Sequence, residues 1–254
     1  MHDLRTWLPL RRGHPDPAMR LFCLPYAGGS ALVYRRWIGL LPQAVEVLPI
    51  ELPGRWSRIQ EPAHVRVASL AEEMVCGLAP LLDRPYVLFG HSMGALLAYE
   101  MARRLDAQGL GPRQLIVSAR RAPHLPDPTP RIYHLPVPEF MQELKRLNGT
   151  PEEALVNSEL MELMLPLLRA DFELCQTYEF TPGPPLSCGI TALAGSRDAN
   201  VPIAHVDAWA AYSSGQFRRH VVEGDHFFLN SALDRVLALV QADLDRQLAA
   251  ARPS

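Results

Sequence analysis

The stretch YVLFGHSMGALLAYEMAR (residues 86–103) decides the fold. Its first four residues are apolar and predict a short buried strand, and the residues from about Gly94 onward have the composition of a helix. Between the two lies Gly90-His91-Ser92-Met93-Gly94, a G-x-S-x-G motif. Glycines on both sides of a serine permit a sharp strand-to-helix turn that lifts the hydroxyl clear of the sheet. Ser92 is therefore the candidate nucleophile of an α/β fold.

The regions on either side of this motif repeat the same alternation. Helical segments of about a dozen residues separate short apolar runs, a pattern that predicts a mainly parallel sheet flanked by helices. One helix is expected to begin at Ser69, because Ser69 and Glu72 form a capping-box pattern. The predicted strands are residues 20–25, 45–50, 86–89, 114–118, 190–194 and 217–222.

The alternation stops between residues 124 and 185. Two helical patterns lie here, the second running from about 152 to 180 with a break near Pro166, and proline-rich stretches flank them. A crossover between strands needs far fewer residues. We therefore expect a core of residues 1–123 and 186–254 with a helical lid, 124–185, inserted into it. Two ordinary crossover helices with long loops are the alternative.

Composition narrows the class of protein. The 254 residues carry 25 basic and 27 acidic side chains, a formal net charge of −2, which gives no electrostatic reason to expect a nucleic-acid partner. No apolar run approaches the roughly 18 residues of a membrane span, and the N-terminus is too polar for a signal peptide. The four cysteines form no C-x-x-C pair. We expect a cytoplasmic protein that acts without membrane or nucleic acid.

A serine hydroxyl needs a base to take its proton, and in this fold the order along the chain is serine, acid, histidine, each after a strand. His226 lies in a glycine-flanked loop after the last predicted strand, whereas the other downstream histidines lie in helix or strand patterns or in the insertion. Asp198 follows the strand 190–194 directly and could orient the imidazole. The alternatives for the acid are Asp171, Asp207 and Asp225.

An oxyanion hole requires backbone N–H groups aimed at the developing negative charge. Met93, which follows the nucleophile, is one expected donor. The other is Ala27, in the loop PYAGGS (25–30) after the first strand. His220, Glu223, Asp225 and His226 could form a metal cluster, but their spacing favours the serine hydrolase interpretation. We expect no metal and no other cofactor.

Five segments together resemble one family, the type II thioesterases of polyketide and nonribosomal peptide pathways. They are LFCLPYAGGS (21–30), LPGR (52–55), FGHSMGALLAYEMAR (89–103), GSRD (195–198) and GDHFFL (224–229). The resemblance implies an α/β-hydrolase fold, a triad of Ser92, Asp198 and His226, and an oxyanion hole at Ala27 and Met93. Trp56, after LPGR, departs from the smaller or polar residue that is more usual there.

The resemblance also implies a reaction and a partner. Such enzymes hydrolyse stalled or aberrant acyl groups from the phosphopantetheine thioester of acyl or peptidyl carrier proteins. Met161 and Met164, on the inner helix of the insertion, are then candidates for lining the acyl pocket. The alternatives are a small-molecule carboxylesterase or lipase, a medium-chain fatty acyl-carrier thioesterase, and a hydrolase-fold binding protein.

Overall fold

Six parallel strands form the centre of the fold in the computed structural model, which describes residues 3–147 and 158–250. The order across the sheet is β2-β1-β3-β4-β5-β6. Every strand has the parallel partner that the alternation of strands and helices predicts. The strands are β1 (Met19–Leu24), β2 (Val45–Pro49), β3 (Tyr86–His91), β4 (Gln114–Ser118), β5 (Gly189–Gly195) and β6 (Phe217–Val222).

Helices cover both faces of the sheet, which is why the first four strands are buried along their whole length. The described α-helices are α1 (Leu4–Trp7), α2 (Val67–Leu78), α3 (Met93–Asp106), α4 (Val137–Arg146), α5 (Ser158–Gln176), α6 (Ile203–Asp207), α7 (Phe228–Ser231) and α8 (Leu233–Ala250). Short 3₁₀ helices lie at Ala31–Gly39, Trp56–Arg58, Ala79–Leu81 and Ala208–Tyr212. Among the described residues, no helix is both long and apolar enough to cross a membrane.

The strand order places a reversal between β1 and β3. The chain moves from β1 outward to β2 and then returns to β3 on the other side of β1. In open parallel sheets, ligands bind at the carboxyl ends of the strands where the order reverses. The loop after β1 contains Ala27, and the turn after β3 contains Ser92. The topology therefore brings both to the place where such a fold forms its site.

The segment between β4 and β5 contains α4 and α5. These helices and the chain before them form an apolar cluster of Ile132, Phe140, Leu144, Met161 and Leu168. Helix α5 continues through Pro166, so the expected break there is wrong. The part of the expectation that concerns residues 152–157 lies outside the described residues. The boundaries at 124 and 185 stay a prediction.

The expected start of α2 is also wrong. The helix begins at Val67 with Arg66 as its N-cap residue, not at Ser69. The Ser69 hydroxyl donates to the Arg66 carbonyl, 3.1 Å away, and lies 3.0 Å from His64 Nδ1. A serine inside the first turn therefore bonds back toward the cap instead of being the cap itself.

Candidate active site

Ser92 lies on a strained turn between β3 and α3. Its backbone angles are φ 53° and ψ −114°, in a region that non-glycine residues rarely adopt. The Ser92 N–H donates to the Ser118 carbonyl of β4 at 2.8 Å, which fixes the turn to the sheet. A Cβ atom at Gly90 would lie 2.1 Å from the Gly94 carbonyl oxygen, and one at Gly94 would lie 2.2 Å from the Leu24 carbonyl oxygen. Both glycines are therefore required by close backbone contact.

His226 lies between Ser92 and Asp198. The distance from His226 Nε2 to Ser92 Oγ is 2.9 Å, and that from His226 Nδ1 to Asp198 Oδ2 is 2.7 Å. A carboxylate can only accept, so Nδ1 carries the proton and Nε2 is free to accept one from the serine. The structure thus brings together the three residues that the sequence predicted, from the loops after β3, β5 and β6.

Backbone N–H groups of its own loop fix the orientation of the Asp198 side chain. Its side chain is fully buried, and Oδ1 accepts from the backbone N–H groups of Asn200 at 2.9 Å and Val201 at 3.1 Å. These bonds satisfy the oxygen that does not face the histidine, and they fix the direction of the other one. The carboxylate is therefore oriented before any substrate arrives.

The alternative acids have other partners. Asp171 pairs with Arg55, Asp207 pairs with Arg219, and the Oδ1 atom of Asp225 accepts from the Phe227 N–H at 2.8 Å. None of these contacts involves His226. The geometry supports Asp198 as the acid of the triad.

His91, which sequence reasoning did not single out, supports the backbone of His226. The ring is fully buried, its Nε2–H donates to the His226 carbonyl at 2.9 Å, and Nδ1 lies 2.8 Å from Ser118 Oγ. Burial, with His226 nearby, lowers the pKa of His91 from 6.5 to about 3. His91 is thus a neutral donor. The residue lies inside the G-x-S-x-G motif, but the motif alone gives no sign of where its ring points.

The two expected oxyanion donors border the same cavity as Ser92. Met93 is the first residue of α3, where the helix dipole adds to the attraction for negative charge. Among the described residues, no protein acceptor bonds to the backbone N–H of either Ala27 or Met93. Both groups are thus available to an incoming oxygen.

The cavity beside Ser92 has a volume of about 120 Å³. This is well below the ~300–1,000 Å³ of ordinary ligand pockets. Helix α5 contributes Leu168, Asp171, Phe172 and Cys175 to its lining. Of the predicted lining residues, Met161 belongs to the apolar cluster that α4 and α5 share and Met164 packs against that cluster, and neither borders this cavity. A larger groove of about 1070 Å³ lies between α2, α3 and the chain after α5, and neither Ser92 nor His226 lines it.

The arrangement suits acyl transfer: a serine, a base, an oriented carboxylate and two unengaged N–H donors meet at one cavity. A sequence profile described as a thioesterase domain matches residues 19–244. The chain belongs to the thioesterase family.

Individual relatives cover nearly the whole length of this thioesterase. It is 42% identical to thioesterase PikA5 of Streptomyces venezuelae, over 90% of this chain and 82% of that protein. It is also 42% identical to a Brevibacillus parabrevis protein named linear gramicidin dehydrogenase LgrE, over 95% of this chain and 94% of that one. The solved structure of the type II thioesterase BorB, from the borrelidin biosynthetic cluster, superposes with a TM-score of 0.85 at 34% identity, covering 98% and 99% of the two chains.

These similarities assign the reaction class of the thioesterase. It is an enzyme that hydrolyses thioesters, similar to the type II thioesterases of polyketide and nonribosomal peptide pathways. LgrE has dehydrogenase in its name, but the sequence of this chain contains no G-x-G-x-x-G fingerprint of a dinucleotide site. The α/β-hydrolase fold expected from the sequence is confirmed.

Proposed function

We propose that this thioesterase removes acyl groups from the phosphopantetheine arm of acyl or peptidyl carrier proteins, as an editing enzyme of a polyketide or nonribosomal peptide pathway. The observation that carries the proposal is the position of His226, within hydrogen-bond distance of both Ser92 Oγ and Asp198 Oδ2, beside two unengaged N–H donors. The similarity to PikA5 and BorB supports the choice of carrier-bound thioesters over other esters.

The first half of the reaction transfers the acyl group to Ser92. His226 Nε2 takes the hydroxyl proton while Oγ attacks the thioester carbonyl carbon. The N–H groups of Ala27 and Met93 stabilise the negative oxygen, and Asp198 stabilises the imidazolium. The carbon–sulfur bond then breaks, and His226 returns the proton to the leaving thiolate of the arm.

The second half releases the acid. His226 takes a proton from water, the hydroxide attacks the acyl-serine carbonyl, and the same two N–H groups stabilise the second oxyanion. The proton passes to Ser92 Oγ as the free carboxylic acid departs. These residues complete the proposed cycle without a metal or a redox cofactor.

We also propose that residues 124–185 act as a lid on a core of 1–123 and 186–254. Support comes from α5, whose side chains form one wall of the cavity beside Ser92. With a volume of about 120 Å³, that cavity favours short acyl groups unless the wall moves.

We place the enzyme in the cytoplasm, where its four free cysteines would stay reduced.

The test is a comparison of two substrates that carry the same acyl group, one as a carrier-bound thioester and the other as an oxygen ester. An acyl group is loaded on a carrier protein through its phosphopantetheine arm, and hydrolysis is followed beside the matching oxygen ester of a small alcohol. We expect the carrier thioester to give the higher kcat/KM, and Ser92→Ala to abolish turnover of both. Preference for the oxygen ester, with the carrier thioester untouched, would instead identify a small-molecule esterase.

A further inference from the structure

A buried ion pair joins helix α5 to the body of the enzyme. Arg55, from the loop after β2, donates through Nη2 to Asp171 Oδ1 at 2.8 Å and through Nη1 to Asp171 Oδ2 at 3.1 Å. Arg55 is 4% exposed and Asp171 is 1% exposed. A two-pronged contact between a guanidinium and a carboxylate fixes both distance and orientation.

The same two side chains also hold the loop that contains Ala27. Asp171 Oδ2 accepts from the Gly28 N–H at 2.7 Å, and Arg55 Nη1 donates to the Gly29 carbonyl at 3.0 Å. The loop closes on itself through the Gly29 N–H, which donates to the Tyr26 carbonyl at 2.9 Å. The peptide that carries the Ala27 N–H is thus held between this turn and the Asp171 contact.

Gly28 makes the close approach of the helix possible. It has φ +75°, and a Cβ atom there would lie 2.7 Å from Leu168 Cδ2 on α5. Leu168 and Asp171 are one helical turn apart, so both touch the loop from the same face of α5. One face of α5 therefore both lines the substrate cavity and contacts the oxyanion loop.

We propose that Arg55 and Asp171 are positioning residues that set the oxyanion hole: they hold the Ala27 N–H in place only while α5 is seated on the body. The inference rests on the proposed acyl-serine chemistry. A buried ion pair is a costly way to hold a helix, because two charges lose their hydration. The ion pair is useful here because it fixes the position of a hydrogen-bond donor, and catalysis by an oxyanion hole depends on donors fixed before the charge develops.

Movement of α5 and catalysis are then interdependent. If α5 lifted near Asp171, the three hydrogen bonds to that carboxylate would break and the Gly28 N–H would lose its acceptor. The Ala27 N–H would then be free to rotate away from Ser92. Lifting α5 admits the substrate, and seating it completes the site, so hydrolysis waits for closure.

Two ketones of one acyl chain test this inference. A trifluoromethyl ketone adds to Ser92 and places an oxyanion in the hole, whereas the matching methyl ketone binds without that charge. The variants are Asp171→Leu, Arg55→Met, and the two together. The double variant leaves no unpaired buried charge, so it restores the fold if the single variants unfold. The matched control is Glu173→Gln, which breaks the exposed contact between Arg66 and Glu173 two residues along the same helix.

In the folded double variant we expect affinity for the trifluoromethyl ketone, and kcat for an acetyl thioester, to fall about tenfold or more. Affinity for the methyl ketone and KM should change less than about twofold, and Glu173→Gln should match the wild type. Full trifluoromethyl ketone affinity in the double variant would overturn the inference and leave the proposed function standing. A wild type that neither binds this ketone nor hydrolyses the thioester would overturn the proposed function itself.

Discussion

His91 donates from Nε2 to the carbonyl oxygen of His226 at 2.9 Å, and the two rings lie 5.7 Å apart, edge to face. His91, the last residue of β3, therefore holds the loop that carries the base by a hydrogen bond to its backbone. The contact links the strand that precedes the nucleophile to the loop after β6. Burial keeps the ring neutral, so Nδ1 can accept the hydrogen of the Ser118 hydroxyl, 2.8 Å away, while Nε2 donates to the carbonyl.

The lowered pKa of His91 predicts a pH-dependent stability. Between about pH 3 and pH 6.5 the unfolded chain takes up a proton at this residue and the folded chain does not, so stability falls as pH falls through that window. The slope from this one group is at most about 1.4 kcal/mol per pH unit. Urea unfolding of His91→Gln from pH 7 to pH 4 should show a shallower loss than the wild type. His134→Gln, which removes an exposed imidazole, is the control, and equal slopes in all three proteins would refute the assignment.

Ser92 is expected to react with a fluorophosphonate probe. The ground is the hydrogen bond from Ser92 Oγ to His226 Nε2, which makes this hydroxyl a better nucleophile than the other serines. Intact-protein mass spectrometry should show one adduct in the wild type and none in Ser92→Ala. Ser118→Ala serves as the control for a nearby buried serine. Labelling that survives in Ser92→Ala would show that the nucleophile is elsewhere.

Loss of the base should cost more than loss of the acid. His226→Ala removes the proton acceptor, whereas Asp198→Asn leaves the imidazole in place with the wrong tautomer, a change worth about 10⁴ in kcat in a well-known triad. Steady-state kinetics of both variants, beside Asp207→Asn on the surface, measures the difference. Full turnover by Asp198→Asn would remove Asp198 from the mechanism.

The lining of the cavity predicts which substitution changes chain-length preference. Phe172 borders the cavity, so Phe172→Ala should raise kcat/KM for a medium-length acyl thioester relative to an acetyl one. Met161 is 4% exposed and lies in the cluster shared by α4 and α5, so Met161→Ala should lower stability by about 2–5 kcal/mol and leave the preference unchanged. Competition between the two thioesters, with thermal unfolding of each variant, separates these effects. The reverse result would restore Met161 to the pocket.

Much of the site could be predicted because its parts are local. The strand, turn and helix around Ser92 are contiguous in sequence, and His226 and Asp198 each follow a strand directly. The strand order then brings them together without further information. A local pattern failed at Ser69, whose capping pattern lies two residues inside the real start of α2.

Contacts between distant side chains could not be predicted in this way. Arg55 and Asp171 are 116 residues apart, and Asp171 entered the sequence argument only as a rival acid for the histidine. Which face of α5 meets the body decides that Leu168 and Phe172 line the cavity and that Met161 does not. Residues 160–168 of this helix are apolar apart from Glu162, so their periodicity does not fix that face.

The central claim is that Ser92 carries the acyl group during hydrolysis of a carrier-bound thioester. Rapid-quench mass spectrometry during a single turnover tests it most directly, with excess enzyme and a carrier loaded with a short acyl group. We predict that the enzyme gains the acyl mass on the peptide that contains Ser92, that this species forms before free acid appears, and that it decays at the rate at which the acid is released. Hydrolysis at the wild-type rate in Ser92→Ala, with no acylated enzyme at any time, would contradict it.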